Sequence, residues 1–331
     1  MTLLAHTWEL LQLEARTEAG WHLRRILPTS PCEIFAALHQ PDGTPGLVLE
    51  VSPLSFGSYP EIPVAVGFRL VSQLIGHSRN GRVRVILSLA DPAYSAVFSV
   101  LCMDCAECLA NEIDERSALA RFVGRLLVWQ EFMERRGTGG LPEKAALGLM
   151  GELVVLADLI APKVGWSRAV RSWSGPDGEV NDFCLDRLFL EVKATTRQVT
   201  KAIEISNADQ LDPSRGNILL AHASFQPTDQ GETLPSLVDR IRQRLAIEAL
   251  TELPVFTERL LKVGYLDADR DLYSDCFRLR KLDLYNVSGS FPHLSRNDLR
   301  DGVLECSYSL SLDACECWRT SPDDIVGLRE S

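Results

Sequence analysis

Apolar positions follow two periods along this chain, and each period predicts a different kind of element. In the first third, short apolar runs lie between turn residues, a pattern typical of strands. The predicted strands are Phe35–Leu38, Leu47–Val51 and Arg82–Leu87. From about residue 116 the apolar residues recur at helical spacing, and a Gly-rich joint at 137–140 follows. The apolar stripe of this helix is Leu119, Phe122, Val123, Leu126, Leu127 and Met133.

The rest of the chain combines both periods. Helices are predicted over Leu149–Ile160 and from about Leu234 to Ala249. Further strands are predicted at Leu261–Tyr265, Tyr285–Val287 and Leu304–Leu310. We therefore predict a strand-rich N-terminal domain (1–115), a helix with a Gly-rich linker (116–140) and a C-terminal domain with its own extension (141–331).

The segment Leu188–Ala194 predicts a largely buried strand that contains both an acid and a base. Successive side chains in a strand point to opposite faces, so Phe189, Glu191 and Lys193 share one face. A buried strand rarely carries charged residues unless they are paired or functional. This strand is therefore the first candidate for chemistry.

A tight turn before this strand brings a second acid to the same place. If Asp186-Arg187 is a two-residue hairpin loop, Leu185 pairs with Leu188, and Asp182 then lies opposite Glu191. Opposed side chains in such a pair have Cβ atoms roughly 4.5–5.5 Å apart. Two carboxylates at that distance repel each other unless a cation lies between them. Mg²⁺ needs only one or two carboxylates and a phosphate oxygen, so the arrangement predicts metal-assisted attack on a phosphodiester.

A third acid, Glu152, lies on the helix before the hairpin. It is three residues from Leu149 and four from Leu156, hence near the buried face, where an unpaired charge is costly. Gly148 and Gly151 would let this helix approach the sheet closely. The alternative is a boundary carboxylate beside the apolar stripe.

These residues resemble a known signature. Asp182, eight intervening residues and then Glu191-Val192-Lys193 look like the motif of the PD-(D/E)XK phosphodiesterases, the restriction-endonuclease-like nucleases. Glu152 resembles the acid that many members carry on the preceding helix. The chain is also similar to one bacterial family of PD-(D/E)XK members, over roughly residues 141–317. The matching segments are Gly151-Glu152, Trp173–Pro176, Asp182-Phe183, Glu191–Lys193, Ile205-Ser206, Gln210-Leu211, Tyr285–Val287, Phe291-Pro292 and Cys306–Tyr308.

The resemblance implies an α/β (α+β) fold with a restriction-endonuclease-like αβββαβ core, a strand-rich N-terminal domain and C-terminal additions. The cofactor it implies is Mg²⁺ or Mn²⁺. The implied metal ligands are Asp182, Glu191, the carbonyl of Val192 and Glu152. Lys193 would orient the attacking water and offset charge on the phosphate, while Gln210 would bind DNA or position water as in RecB-like members. The implied catalytic residues are thus Glu152, Asp182, Glu191, Lys193 and Gln210.

The motif departs from the family pattern at one position, because Asn181 stands where the superfamily name has proline. A literal Pro176-Asp177 lies in a strong turn sequence and too far from Glu191 for hairpin pairing. We therefore favour Asp182. Plain structural alternatives remain for two other features. The acid and lysine could form an ion pair on an edge strand, and Gln210 could belong to a helix N-terminus capped by Ser206.

The overall charge limits how the chain would meet nucleic acid. It has 331 residues with 34 Lys and Arg against 45 Asp and Glu, a net charge of −11. This balance argues against broad, non-specific nucleic-acid affinity, since phosphate neutralisation dominates that binding. Either local cations or a partner protein would have to compensate. The candidate local cations are Arg168, Arg171, Lys193, Arg197 and Lys201.

The cysteine spacing, the apolar runs and the absence of other catalytic motifs bear on which other classes of protein fit this sequence. Cys102, Cys105 and Cys108 have the spacing of an iron–sulfur or zinc site, but three-residue spacing also marks one face of a helix core. Nine cysteines at irregular spacing fit reduced thiols, and no signal peptide or apolar run of about 20 residues is evident, so a cytoplasmic protein without a membrane span is expected. No nucleotide-binding or serine-hydrolase motif occurs.

The leading hypothesis is a Mg²⁺-dependent DNA endonuclease of a restriction or phage-defence system. It would act as a possible homodimer beside operon-encoded partners of the ATPase, helicase or methyltransferase type. The rival is a catalytically silent nuclease fold that serves as a DNA-binding or assembly subunit. Net charge favours the rival, whereas the complete set of Asp, Glu and Lys favours catalysis.

Overall fold

The computed structural model describes residues 3–14, 18–28, 30–56, 67–75, 81–109, 112–136, 139–199, 201–300, 302–303 and 305–322. The chain divides into two compact units, Met1–Gly139 and Gly140–Ser331. Each unit combines helices with β-sheet, so the protein has the predicted α+β class.

The described residues of the first unit include five strands that form one antiparallel sheet. The strands are β1 (Gly20–Ile26), β2 (Glu33–Gln40), β3 (Thr44–Val51), β4 (Phe68–Ile75) and β5 (Arg82–Leu89). Their order in the sheet is β1-β2-β3-β5-β4. The helices are α1 (Leu3–Leu13), α2 (Pro53–Phe56), α3 (Ser95–Glu107) and α4 (Glu115–Arg136). The three strands predicted here and the long helix are confirmed.

Helix α4 forms because its apolar stripe packs into the core of the unit. Leu119, Phe122 and Leu126 are completely buried or nearly so. Leu127 was expected in the same stripe, but its side chain is exposed because it lies one residue beyond Leu126, on another face of the helix. An apolar stripe of this kind stabilises a helix more than intrinsic propensity does.

The cysteines with three-residue spacing lie on helix α3 and directly after it. Cys102 and Cys105 are fully buried, and this burial raises the pKa of both thiols. Cys108 donates its S–H to the carbonyl of Cys105 at 3.1 Å. The placement matches the structural alternative, in which the spacing marks one buried face of a helix.

The second unit contains two sheets and five α-helices among its described residues. The strands are β6 (Phe183–Leu185), β7 (Leu188–Thr195), β8 (Ala202–Ile205), β9 (Asn217–Glu232), β10 (Phe277–Val287), β11 (Tyr308–Ser311) and β12 (Arg319–Thr320). The helices are α5 (Glu143–Val154), α6 (Ala161–Val164), α7 (Trp166–Ser172), α8 (Leu234–Glu248) and α9 (Leu253–Lys262). The main sheet has the order β12-β10-β9-β7-β6, with β7 parallel to β9, and β8 pairs separately with β11.

The predicted hairpin is confirmed. Leu185 pairs with Leu188, and Asp186-Arg187 forms the two-residue loop between β6 and β7. Asp186 has a φ of 55°, in the left-handed region that Asp tolerates better than most residues. The two-residue loop Asp186-Arg187 therefore fixes the register of the strand that carries Glu191 and Lys193.

The two faces of the main sheet differ as the alternation along β7 predicts. Leu188, Leu190 and Val192 belong to the large core, which also contains apolar residues of α5 and α8. Phe189 packs on the opposite face, against a smaller core to which β8 and β11 contribute Ile205 and Leu310. Glu191 and Lys193 share this second face with Phe189.

The apolar helical segment Glu143–Val164 runs through α5, a π-helical turn (Val155–Ile160) and α6. By length and composition it could cross a membrane, and the sequence-based expectation that no apolar run approaches this length was wrong. Most of the segment is buried inside the protein, which is the environment of a core helix. The π-helical turn begins three residues after Glu152, and such turns are frequent at functional sites.

Two other expectations were wrong in whole or in part. The predicted strand Leu261–Tyr265 is instead the end of α9, closed by Gly264 at φ 93°. The amide of Tyr265 donates to the carbonyl of Leu260 and that of Gly264 to Leu261, the pattern of a Schellman C-cap. The strand predicted at 304–310 is confined to Tyr308–Ser311, and residue 304 lies outside the described residues.

Candidate active site

All five residues predicted for the site lie on elements that meet at β7. Glu152 is on α5, which packs against β7, and Asp182 directly precedes β6. Glu191 and Lys193 lie on β7, and Gln210 lies on a 3₁₀ turn, Ala208–Leu211, after β8. The structure therefore brings residues from four separate segments together.

Asp182 is held at the start of the hairpin by backbone groups. Its carboxylate accepts a hydrogen bond from the amide of Val192 at 2.7 Å. Its carbonyl accepts from the amides of Ser174 and Gly175 at 2.8 and 3.0 Å. A Cβ on Gly175 would lie 3.2 Å from Asp182 Oδ1, a tight contact that the glycine avoids. Burial raises the pKa of Asp182 to about 6, although the Val192 hydrogen bond opposes the shift.

Glu191 is almost completely buried, with 2% of its surface exposed. One carboxylate oxygen contacts Lys193 Nζ at 2.8 Å, and the other accepts from Asn181 Nδ2 at 3.3 Å. Burial and then the charge of Asp182 raise the pKa of Glu191 to about 8, even though Lys193 acts in the opposite direction. The β6–β7 pairing ends at Phe183 and Leu190, one residue short of Asp182 and Glu191, but the two carboxylates are close enough for the charge of Asp182 to act on Glu191.

Glu152 completes the acidic group from the helix side. Its carboxylate accepts a hydrogen bond from the indole N–H of Trp173 at 2.7 Å. Burial, followed by the charge of Asp182, raises its pKa well above the usual range. Helix α5 can pack closely against β7 because Gly151 has no Cβ; a Cβ there would lie 2.8 Å from the Ala194 Cβ. Gly148 was expected to serve the same close approach, but open space surrounds it, so that expectation was wrong.

The carboxylates of Glu152, Asp182 and Glu191 together carry more negative charge than the neighbouring cation balances. Three carboxylates share one ammonium, that of Lys193, and the charge of Asp182 raises the pKa of the two glutamates. The described residues include no group of three His, Cys, Asp or Glu side chains arranged to hold a metal by themselves. Mg²⁺ does not need three, because it keeps several waters and binds through one or two carboxylates. Asp182 and Glu191 therefore fit a hydrated divalent cation.

Lys193 is held from two sides. Its ammonium contacts Glu191 and lies 3.4 Å from the amide oxygen of Gln210. The same Gln210 oxygen accepts from the backbone amide and the hydroxyl of Ser206, both at 3.1 Å. Ser206 was considered as a helix cap, but Asn207 takes that position by accepting from the amide of Asp209. Gln210 thus fixes the direction in which Lys193 points.

Asn181 is a site residue that sequence reasoning noted only as a departure from proline. It is 2% exposed, and its Nδ2 donates both to Glu191 and to the carbonyl of Gln210, the latter at 2.8 Å. Its Oδ1 accepts from Arg215 at 3.0 Å. A proline offers none of these bonds. The signal available in the sequence was a buried position next to Asp182 filled by an amide that can bond in both directions.

Other charged residues considered from the sequence lie elsewhere. Asp177 of the literal Pro-Asp pair forms ion pairs with Arg259 and Lys262 at 3.0 and 2.6 Å. Two of the cations expected around the site are engaged by acids outside it, Arg168 by Asp186 and Arg171 by Glu252. These residues stabilise the surface of the unit and supply no local positive charge to the site.

The geometry agrees with what comparison with known proteins shows. Residues 4–313 match the sequence profile of the family described as "Putative PD-(D/E)XK family member, (DUF4420)". No curated protein and no solved structure matches the chain. Because the profile spans most of the chain, including the hairpin with Asp182, Glu191 and Lys193, the chain belongs to this family of nuclease-like PD-(D/E)XK proteins.

Proposed function

We propose that this protein is a Mg²⁺- or Mn²⁺-dependent DNA endonuclease that hydrolyses phosphodiester bonds. The observation that carries the proposal is the surplus of carboxylates around Lys193, where the buried Glu191 and the partly exposed Asp182 and Glu152 share one ammonium. A scaffold has no reason to keep opposed carboxylates in a core, since burying unbalanced charge is costly. A bound cation would neutralise these carboxylates and would bind an anionic substrate.

Each residue then has a distinct task. Asp182 and Glu191 would hold the cation, with the Val192 carbonyl as a further ligand, and Glu152 would support a second cation or Lys193. A bound divalent ion supplies a Lewis acid for a phosphate oxygen. The Lys193 ammonium would donate hydrogen bonds to the attacking water and to the phosphate, where negative charge develops. Gln210 would hold that ammonium in position through its 3.4 Å contact.

The cellular setting of the proposed activity is a restriction or phage-defence system in the cytoplasm. The net charge of −11 supports dependence on partners, because a free-standing nuclease of this charge would bind DNA weakly. We expect operon-encoded partners of the ATPase, helicase or methyltransferase type, and a homodimer is one possible assembly. The rival function is a catalytically silent DNA-binding or assembly subunit, which the same net charge favours.

One substitution separates the enzyme from the scaffold. Lys193→Ala should lower the rate of DNA cleavage by about 10²–10³, the usual cost of losing one group that stabilises transition-state charge. Metal binding should persist, since an ammonium is not a ligand. Lys144→Ala is the matched control, because Lys144 is an exposed lysine paired with Glu204 on the surface. The assay is cleavage of plasmid DNA with Mg²⁺, with and without the neighbouring gene products.

The same pair of variants is informative in cells. If the protein is an enzyme, phage resistance conferred with its neighbouring genes should fall for Lys193→Ala and remain for Lys144→Ala. Equal protection by wild type and Lys193→Ala, together with no cleavage by wild type, would contradict the nuclease and favour the scaffold.

A further inference from the structure

The sheet face that carries Lys193 changes character along its strands. Around Glu191 it is apolar, with Leu220 and Tyr285 in the neighbouring strands, and the core shared with β8 and β11 covers it. One step further along the strands, Lys193 pairs with His222, which pairs with Asp283. From this row onward the paired residues on this face are polar, so the candidate site lies at the boundary between an apolar half and a polar half.

The polar half continues toward the start of β10. Thr195 pairs with Ser224 on β9, and Ser224 pairs with Lys281 on β10. A bulge between Leu279 and Lys281 leaves Arg280 as the extra residue. Bulges redirect side chains next to functional sites. Arg280 uses its guanidinium to contact the hydroxyl of Ser224 and the carbonyl of Arg197, both at 3.3 Å.

This half carries positive charge that acids do not neutralise. Arg197, Arg278 and Arg280 are exposed, and none forms an ion pair with a carboxylate in the described part of the chain. Asp283, the acid that pairs with His222 on this face, is already engaged by Lys281 at 3.0 Å and by Arg319 at 3.4 Å. Elsewhere in the unit most described cations are ion-paired. Examples are Arg168, Arg171, Arg240, Arg242, Arg244, Arg259, Lys262, Arg270 and Arg296.

His222 provides a second, independent observation. It pairs with Lys193 across the sheet, 4% of its surface is exposed, and neither ring nitrogen has a hydrogen-bond partner among the residues that the structure describes. Buried polar groups are nearly always satisfied, so an unsatisfied imidazole next to a candidate site indicates a missing partner. A phosphate oxygen is an acceptor that would satisfy the N–H of this imidazole.

We propose that this polar half, with Arg197, Arg278 and Arg280 at its rim, binds the sugar–phosphate backbone of a nucleic acid. The inference rests on the proposed function for the choice of DNA over RNA, but not for the surface itself. It explains how a chain of net charge −11 can engage a polyanion, because three cations without an acid lie on the half of the sheet face that begins at Lys193. The backbone would run from the metal site across β9 and β10.

The test is binding of a DNA duplex, measured in EDTA so that cleavage and metal binding play no part. The variant with Arg197, Arg278 and Arg280 all changed to Ala should bind at least about 10-fold more weakly at moderate salt. The slope of log affinity against log salt should decrease by about 2–3, close to 0.9 for each lost phosphate contact. Changing the same three residues to Lys should preserve most of the affinity, since lysine also neutralises phosphate.

Arg187→Ala is the matched control. Arg187 is also exposed and not ion-paired within the described ranges, but it lies in the hairpin loop at the opposite end of β7. It should bind DNA as wild type does. An equal loss in this control, an unchanged affinity in the triple Ala variant, or no duplex binding by wild type would each overturn the proposal. A matched RNA duplex is the second arm, and a loss confined to RNA would keep the surface but contradict the proposed DNA substrate.

Discussion

Each unit of this protein places a glutamate on an interior strand of a five-stranded sheet, but the two glutamates have opposite surroundings. In the first unit, Glu50 on β3 lies directly opposite Arg84 on β5, whose guanidinium contacts it at 2.6 and 3.0 Å. In the second unit, Glu191 shares Lys193 with Asp182 and Glu152. Glu50 is balanced within its own sheet, whereas Glu191 belongs to a group with surplus negative charge.

The comparison separates a structural charge from a functional one. A buried ion pair that is complete needs nothing further, and removing one partner leaves the other without compensation. A group of acids with too few cations is strained until protons or a metal neutralise it. Burial alone therefore does not identify a functional acid, and the balance of charge around it does.

The largest effect should be an opposite change of stability in the two units. Glu50→Gln should destabilise the metal-free protein by about 1–3 kcal/mol, because Arg84 loses its charged partner at a partly exposed position. Glu191→Gln should leave stability unchanged or increase it, because it removes repulsion between the buried Glu191 and the neighbouring acids. Urea unfolding at pH 8 in EDTA measures both. Destabilisation of similar size in the two variants would contradict the view that Glu50 is balanced by its partner whereas Glu191 is not.

The pH dependence of stability should sharpen the same contrast. The pKa of Glu191 is about 8 in the folded protein against 4.5 for its ordinary value, so the folded state holds this proton over that interval while the unfolded state releases it. Stability therefore falls as pH rises from about 5 to 8. The fall should be smaller in Glu191→Gln than in wild type, and unchanged in Glu50→Gln. Unfolding curves at pH 5 and pH 8 without metal give the change in stability for wild type and the two variants. An equal change in wild type and Glu191→Gln would contradict the raised pKa of Glu191.

Two glycines on one helix provide the next test. Gly151→Ala should destabilise the second unit by about 1–3 kcal/mol, since its Cβ would lie 2.8 Å from the Ala194 Cβ and would force α5 away from β7. Gly148→Ala should stabilise by roughly 0.5–1 kcal/mol, because it meets open space and alanine favours the helix. The measurement is the melting temperature of each variant relative to that of wild type. A neutral Gly151→Ala would show that the close approach of helix and strand is dispensable.

The smallest effect concerns the residue that replaces proline. Asn181→Ala should weaken binding of Mn²⁺ by roughly 10-fold, the lower end of the usual loss when a residue that orients a metal ligand is removed. The stoichiometry should not change, because Asp182 and Glu191 remain. Asn286→Ala, an exposed amide on β10, is the control and should bind metal as wild type does. Unaltered affinity in Asn181→Ala would mean that its bond to Glu191 does not position that carboxylate.

Much of the site could be predicted because the hairpin is a local structure. The loop Asp186-Arg187 fixes the register of β6 on β7, and Asp182 directly precedes the paired residues, close to Glu191. Alternation along β7 likewise identifies the face that carries them. These features depend on residues that are close in sequence.

The remaining features depend on contacts that a single sequence does not display. The bonds from Asn181 to Glu191, Gln210 and Arg215 link segments up to 34 residues apart. The choice between Gly148 and Gly151 depends on which one faces Ala194, a matter of helix rotation. The end of α9 was mistaken for a strand because Leu261 and Val263 also fit an alternating pattern, and Gly264 was not recognised as a C-cap.

The most direct test of the central claim is a calorimetric titration of the purified protein with Mn²⁺ at pH 8. Wild type and Glu50→Gln should bind the ion with similar affinity, because Glu50 is already balanced by Arg84. Asp182→Asn and Glu191→Gln should each lose most of the binding while their unfolding remains cooperative. Retained binding in Glu191→Gln, or no binding by wild type, would contradict the view that the surplus of carboxylates around Lys193 is a cation site.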